Sequence, residues 1–422
     1  MRHAEKARNS SCRFADEVAT RCIAKYEALV PPDLRESYKQ TVLSGIVLQG
    51  PDESVLEVIS LGVGTKVLSL EHLLGDKVKE RVRDMHAEVL ARRGLLRWLH
   101  VQLELASGDE SPYLTAVDEE VDPAGLLMTT PRRYRLRPQL TLHMYSSSQP
   151  CGNACIKAWA KCKKPTMLAS LGQFTCPSEP HPTFRATAVK EGQIAALVKR
   201  GAGAEAEADD DTMVEAKTEP GQVRRCPPAA TAYPELDSNS DKPPLGVILT
   251  CSDKLCVWNC LGLQGALLSA RLEPLYLRSF TVGRKFSQVH CHRALCCRAA
   301  SFASACGRFA THHPTMMCTS VCFDSTVIAT AGAAEVEAVV GADFSEKRCF
   351  VWALGAGEGE VLDGSSGFCV GGQVSSFSSS ALGRDSLAPE LSYRAAKSML
   401  FSSPFFLNEY SSFREQLAER ET

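Results

Sequence analysis

Asp84-Met85-His86-Ala87-Glu88-Val89-Leu90-Ala91-Arg92-Arg93 is the stretch on which the reading of this chain turns. From Val89 onward, apolar side chains at Leu95, Leu96, Leu99 and Leu103 follow the spacing of a helix that buries one face. Asp84 stands where it can cap that helix, which puts His86 and Glu88 in its first turn. An imidazole and a carboxylate two residues apart at a helix start can hold a metal and move a proton beside it. Alone, a histidine on an apolar helix is more often a satisfied core residue than a ligand. The partner motif Pro150-Cys151-Gly152 changes that balance.

Upstream, Phe14, Val18, Cys22, Tyr26 and Leu29 have helical spacing, and Pro31 and Pro32 end the run. Residues 1–13 lack a periodic apolar pattern and read as a disordered tail; His3-Ala4-Glu5 repeats the tripeptide there with no partner motif, a chance match. Thr41 to Leu48 and Val55 to Val63 are β-branched runs around Gln49-Gly50-Pro51-Asp52, hence a hairpin. Gly62-Val63-Gly64-Thr65-Lys66 closes its second strand with two glycines, which permit close backbone approach and aim Thr65 and Lys66 at the strand's carboxyl end. Glu71 to Val82 is highly charged and reads as a solvated loop or short helix.

Downstream, Arg132, Arg133, Arg135 and Arg137 form a basic cluster around Tyr134 and Leu136, and Lys157, Lys161, Lys163 and Lys164 form another. Both are candidates for salt-dependent phosphate contacts. Gln139 to Ser148 alternates Leu140, Leu142 and Met144 with Thr141, His143 and Tyr145, the period of a half-buried strand. Cys151 then begins a second helix, whose dipole favours a thiolate. Residues 201–240 turn Ala/Glu/Asp-rich and then Pro-rich, as in a flexible insertion. Val247 to Thr250 reads as a buried strand, and Trp258 to Leu272 as a packed helix. His290 to Arg298 is basic and cysteine-rich, but its spacing fits no zinc template. Strand-like runs follow at Val321 to Thr330, Val336 to Val340 and Phe350 to Leu354. A Ser/Gly-rich loop spans Gly364 to Gly383, and the helix Leu391 to Leu400 places Tyr393 and Lys397 on one face.

The 47 basic and 49 acidic residues leave no global field for a polyanion, so nucleic acid must be met by local patches. The 18 cysteines are scattered, with no signal peptide, which fits reduced thiols in the cytoplasm or nucleus. No apolar run approaches the ~18 residues of a membrane span. A soluble protein with no membrane partner is expected.

Adding water to a purine or pyrimidine ring and expelling ammonia requires an activated water and a proton shuttle. A zinc with three protein ligands and one open position lowers the pKa of its water to roughly 7. His86 and Cys151 are two candidate ligands, and Glu88 is the candidate acid/base. The third ligand stays open on spacing, since the P-C-x-x-C of nucleobase deaminases is absent; Cys155 and Cys251 both qualify.

Gly64-Thr65-Lys66, His86 through Arg97, Ser148-Gln149-Pro150-Cys151-Gly152, Cys251-Ser252-Asp253-Lys254, Trp258-Asn259, Gly262, Gln264 through Ser269 and Glu273-Pro274-Leu275-Tyr276 together resemble the adenosine deaminases that act on tRNA and on double-stranded RNA. The blocks are collinear from about Phe14 onward. The resemblance implies an α/β, three-layer cytidine-deaminase-like fold, a central mixed sheet flanked by helices, elaborated by family-specific insertions and a C-terminal extension, in one domain over 14–422. It implies Cys251 as third zinc ligand, Glu88 as proton shuttle, and Thr65 and Lys66 beside a flipped-out adenosine. It also implies a buried inositol hexakisphosphate held by Arg92, Arg93, Lys254, Trp258, Tyr393 and Lys397, with Asp84 and Lys254 linking it to the zinc site. Val257 departs from that pattern, standing where an arginine is usual, and a tryptophan and a lysine expected near Phe405 to Tyr410 are missing. With no segment before Phe14 large enough for a double-stranded-RNA-binding domain, the tRNA branch is expected, acting through the anticodon arm on the adenosine 3′ of the anticodon of alanine tRNA. No DNA partner is expected. The alternatives are an editor of another structured RNA, a cytosine deaminase, or an inactive RNA-binding protein of the same fold.

Overall fold

The computed structural model describes residues 2–38, 41–52, 56–108, 110–117, 132–152, 154, 249–300, 302, 307–323, 347–383 and 391–401. A seven-stranded mixed sheet is its middle layer, in the order β11-β10-β2-β1-β7-β8-β9. The strands are β1 (Leu43–Gln49), β2 (Leu56–Val63), β7 (Thr141–Ser148), β8 (Leu277–Arg284), β9 (Thr315–Cys318), β10 (Arg348–Ala353) and β11 (Glu360–Asp363). Neighbours from β11 to β7 are antiparallel; β7, β8 and β9 are parallel. The short strands β3 (Thr65–Val67) and β4 (Asp84–His86) form a separate pair, as do β5 (Leu114–Ala116) and β6 (Tyr134–Leu136).

One face of the sheet is covered by α1 (Arg2–Leu29), whose Val18, Ala19, Cys22 and Tyr26 are buried with Leu43, Val47, Leu61 and Val63. This helix starts well before Phe14. Residues 2–13, expected as a tail, continue it, because they contain neither glycine nor proline and are rich in good helix formers. The short helix α2 (Pro32–Ser37) follows directly, with proline in its first position, where no hydrogen bond is lost.

The opposite face carries α4 (Ala87–Ser107), preceded by α3 (Leu70–Gly75). Val89, Leu90, Leu95, Trp98 and Leu99 of α4 join the larger core cluster with Ile46, Ile59, Met144, Phe280 and Val351. Contact with the sheet is close: a Cβ on Gly62 would lie 2.5 Å from the Ala87 carbonyl and 2.6 Å from the Ala91 nitrogen. Glycine at that position lets the start of α4 lie directly on β2. The same layer holds α5 (Cys251–Leu261), α6 (Gly265–Leu268), α7 (Gln288–Leu295), α8 (Ser379–Gly383) and α9 (Leu391–Phe401).

Five local expectations change. Asp84 does not cap α4; it lies on β4, and His86 is the residue before the helix. The second helix of the site begins at Cys251, because Thr250 and Asp253 form a capping box there, whereas Cys151 lies in a bend. Thr250 is accordingly not in a strand, and Gly262 ends α5 at Leu261, short of Leu272. Finally, β7 is buried on both faces, since β1 and β8 pair with its two edges and helices cover both sides. Residues 201–240, Val336 to Val340 and most of Val321 to Thr330 lie outside the described residues. No helix among the described residues is long and apolar enough to cross a membrane.

Burial of β7 makes His143 titrate abnormally. It is 3% exposed, lies 2.7 Å from Ser279 Oγ, and is pushed down to about 4 by burial and then by Arg278. Protonation therefore favours the unfolded chain, where histidine titrates near 6.5. Stability should be complete above pH 6.5 and fall as pH drops toward 4, by about 2–3 kcal/mol from this residue. Urea unfolding of wild type and His143→Gln across that window measures it; parallel curves would remove His143 as the cause.

Candidate active site

The carboxyl end of β7 and the starts of α4 and α5 meet at one place. His86 Nδ1 lies 3.7 Å from Cys151 Sγ and 3.5 Å from Cys251 Sγ, and all three donor atoms lie within 4.8 Å of one another. Cys251 is fully buried, and His86 and Cys151 are half-buried, so the group opens on one side. Two thiols and an imidazole at these separations suit one tetrahedral ion with a fourth position open. Cys155 lies outside the described residues.

Each donor is fixed by backbone. Thr250 Oγ1 accepts the Asp253 N–H at 3.2 Å while Asp253 Oδ2 accepts the Thr250 N–H at 3.2 Å, which sets the first turn of α5 and with it Cys251. The Cys251 N–H points at Cys151 Sγ from 3.4 Å, a contact that favours a thiolate. Ser252 donates through N and Oγ to the Cys151 carbonyl, at 3.0 and 2.8 Å, strapping that bend to α5. On the other side, β3 pairs with β4 so that Thr65 faces His86, and the Ala87 N–H donates to the Gly64 carbonyl at 3.0 Å. Thr65 is exposed and Lys66 half-buried beside this opening.

Glu88 is 3% exposed in the first turn of α4, with Ser146 Oγ 3.2 Å from its Oε1. The Ser146 hydroxyl also lies 2.9 Å from the Ser148 carbonyl. It can donate to an ionised Glu88, or donate to Ser148 and accept from a protonated Glu88, so it suits both states of a carboxyl group that gains and loses a proton. Asp84 joins two parts of the site: Oδ1 accepts the His86 N–H at 3.0 Å and Oδ2 lies 2.5 Å from Lys254 Nζ.

Beneath this group the cations of α4, α5 and α9 converge. Arg92 stacks on Trp258 at 4.9 Å and donates to the Leu263 carbonyl at 2.9 Å; Arg93 donates to the Phe377 carbonyl at 2.7 Å. Gly265 has φ +71°, and a Cβ there would lie 2.8 Å from Arg92 Nη2. Burial makes the Arg92 guanidinium easier to deprotonate, an effect the Tyr393 phenol opposes. Arg93 is pushed down to about 10 by burial and then by Arg92. Tyr393 is buried and Lys397 exposed. Val257, on the same helix as Trp258, is buried in the core.

Residues 60–403 match the family described as the adenosine-deaminase (editase) domain. The chain belongs to that family. Among relatives of this editase domain, the double-stranded RNA-specific adenosine deaminase of Mus musculus is 28% identical over 293 residues, 68% of this chain and 21% of its own length. The double-stranded RNA-specific editase B2 of Mus musculus is 28% identical over 67% of this chain and 32% of its own length. The tRNA-specific adenosine deaminase 1 of Homo sapiens is 27% identical over 67% of this chain and 68% of its own length. This editase domain thus spans about a fifth to a third of the double-stranded RNA-specific relatives.

Sequence reasoning missed Ser146, and it missed the Thr250/Asp253 box although T-x-x-D is a legible capping pattern. The basic cluster lies elsewhere. Arg132 and Arg271 flank Tyr134, and Arg271 Nη2 reaches Ser107 Oγ at 3.5 Å, at the far end of α4. The length of α4 puts it roughly 30 Å from His86. Lys157 to Lys164 lie outside the described residues.

If the donor group holds the metal, Cys251→Ser should lower the bound metal by one equivalent per chain and Cys155→Ser should leave it unchanged, by elemental analysis of purified protein. The reverse pattern would exclude Cys251.

Proposed function

We propose that this chain is a zinc-dependent hydrolytic deaminase that converts adenosine to inosine in RNA, with His86, Cys151 and Cys251 as zinc ligands and Glu88 as catalytic acid/base. The observation that carries the proposal is the convergence of those three donors beside the buried Glu88. Zinc bound there would supply an activated water at neutral pH. Glu88 would take one proton from the attacking water and pass it to the ring nitrogen, then take the second from the new hydroxyl and pass it to the amino group, which leaves as ammonia while the ring carbonyl forms. Ser146 follows these changes by turning its hydroxyl. Thr65 and Lys66, at the opening, border the adenosine, and a base must leave its stack to reach them.

tRNA is the proposed substrate, through its anticodon arm and at the adenosine 3′ of the anticodon of alanine tRNA. The tRNA-specific relatives, matched over the greater share of their own length, support it. The chemistry requires RNA in the cleft, and the distance to the Arg132 to Arg137 cluster makes that cluster a contact for a remote part of a long substrate.

Inositol hexakisphosphate is the proposed second cofactor, held by Arg92, Arg93, Lys254, Trp258, Tyr393 and Lys397, with Asp84 as the link to the zinc site. The residues fit a polyanion. Arg93 Nε is buried without a hydrogen-bond partner among the described residues, and Arg92 disfavours the charge on Arg93. Cations packed together in an interior are costly without an anion among them.

Wild type and Glu88→Gln incubated with total tRNA and, separately, with long double-stranded RNA, then sequenced for inosine, test the function. Wild type should form inosine in tRNA. Glu88→Gln should lose about 10²–10⁴-fold in rate while keeping its metal. Equal inosine from both proteins would remove Glu88 from the chemistry, and editing of the duplex alone would replace the tRNA assignment.

Denatured protein should release about one inositol polyphosphate per chain, and Arg93→Met should release less. Protein free of organic phosphate would discard this cofactor.

A further inference from the structure

The cysteine-rich stretch that fits no zinc spacing in sequence becomes a second donor group in three dimensions. His292, Cys296 and Cys297 place their donor atoms within 4.8 Å of one another. The two sulfurs are 3.6 Å apart, and His313 Nδ1, from a distant loop, is 3.6 Å from Cys297 Sγ. A tetrahedral zinc with Zn–S of about 2.3 Å and Zn–N of about 2.0–2.1 Å separates two sulfurs by about 3.8 Å and sulfur from nitrogen by about 3.6 Å. We propose that His292, Cys296 and Cys297 form a second, structural zinc site, separate from the catalytic group, with His313, which stands outside that group of three but 3.6 Å from Cys297 Sγ, closing in as its fourth ligand.

Spacing concealed it for a physical reason. His292 is in α7, Cys296 follows its last residue, and Cys297 opens a short 3₁₀ turn, Cys297–Ala299. The backbone at Cys296, φ −148° and ψ −51°, breaks the helix. That break brings two adjacent cysteine side chains together, which a continuous helix would hold apart. His313 comes from beyond the turn, sixteen positions after Cys297.

Arg293 and Arg298, both buried, flank the cysteines along the chain. Two thiolates, two neutral imidazoles and Zn²⁺ sum to zero charge, which suits a buried position. With all four positions taken by protein, the site is structural.

The clip would brace the catalytic group from behind. Arg298, next to Cys297, donates from Nη2 to Asp253 Oδ1 at 2.7 Å, and Asp253 is the capping residue that sets Cys251. The loop carrying His313 is tied to α5 as well, through the His312 N–H and the Asn259 carbonyl at 2.7 Å, while Asn259 Nδ2 donates to the Leu295 carbonyl at 2.9 Å. A metal joining α7, the 3₁₀ turn and this loop would therefore hold the frame against which α5 packs.

Zinc counting on the purified full chain tests this independently of the deaminase reading. Wild type should carry two zinc per chain, Cys151→Ser one, Cys297→Ser one, and the double variant none. X-ray absorption on Cys151→Ser should show a mixed sulfur and nitrogen shell. The site is overturned if Cys297→Ser keeps the wild-type zinc content, if Cys151→Ser removes all zinc, or if the absorption shell lacks sulfur. Should Cys297→Ser fail to fold, His313→Gln carries the test. It is expected to lose one zinc to a chelator concentration that wild type withstands, and equal retention overturns the proposal.

Discussion

The buried ion pair between Arg298 and Asp253 is the contact on which the end of the molecule carrying His86, Cys151 and Cys251 depends. Their side chains are 0% and 2% exposed, so neither charge is hydrated. A buried pair of this kind adds little net stability compared with an apolar replacement, but losing one partner costs about 3–5 kcal/mol. Its contribution here is placement. Asp253 completes the capping box with Thr250, and the box decides that α5 starts at Cys251.

From that start the other features follow in sequence. The first N–H of α5 faces Cys151, and Ser252 holds the bend that carries Cys151. Lys254, one position beyond Asp253, reaches Asp84, whose other oxygen holds the His86 backbone. Two helix starts are thus tied to each other by side chains that themselves lie in their first turns or just ahead of them. Both helix starts lie at the donor group, where their positive ends favour anionic sulfur.

Much of this was legible beforehand, and what was not has identifiable causes. The hairpin of β1 and β2 was readable because turn residues stand between two β-branched runs. The helix α4 was readable from its apolar spacing. His86, Glu88 and Cys151 were readable from residue type and spacing. Cys251 is not separable from Cys155 by local pattern, since a donor 165 positions from His86 leaves no periodic trace. The polar alternation of β7 does not report its burial, for a related reason. Alternation of Thr141, His143 and Tyr145 with apolar residues reports polarity, whereas burial is decided by whether both edges and both faces find partners. His143 is accommodated there by Ser279, a residue of the neighbouring strand.

The three donors His86, Cys151 and Cys251 also have a kinetic meaning. Cys151 and Cys251 are 65 and 165 positions from His86 along the chain, and 100 from each other. No nascent hairpin or helix can bring them together, so a tight donor set exists only after the parallel strands and both helix starts have docked. Capture of a metal by this donor set would then be a late event in folding. It closes very long loops, whose entropic cost rises only with the logarithm of length, by about 0.6 kcal/mol per doubling. The stretch between Cys151 and Cys251 can accordingly vary widely in length among related chains while the geometry at its two ends is kept.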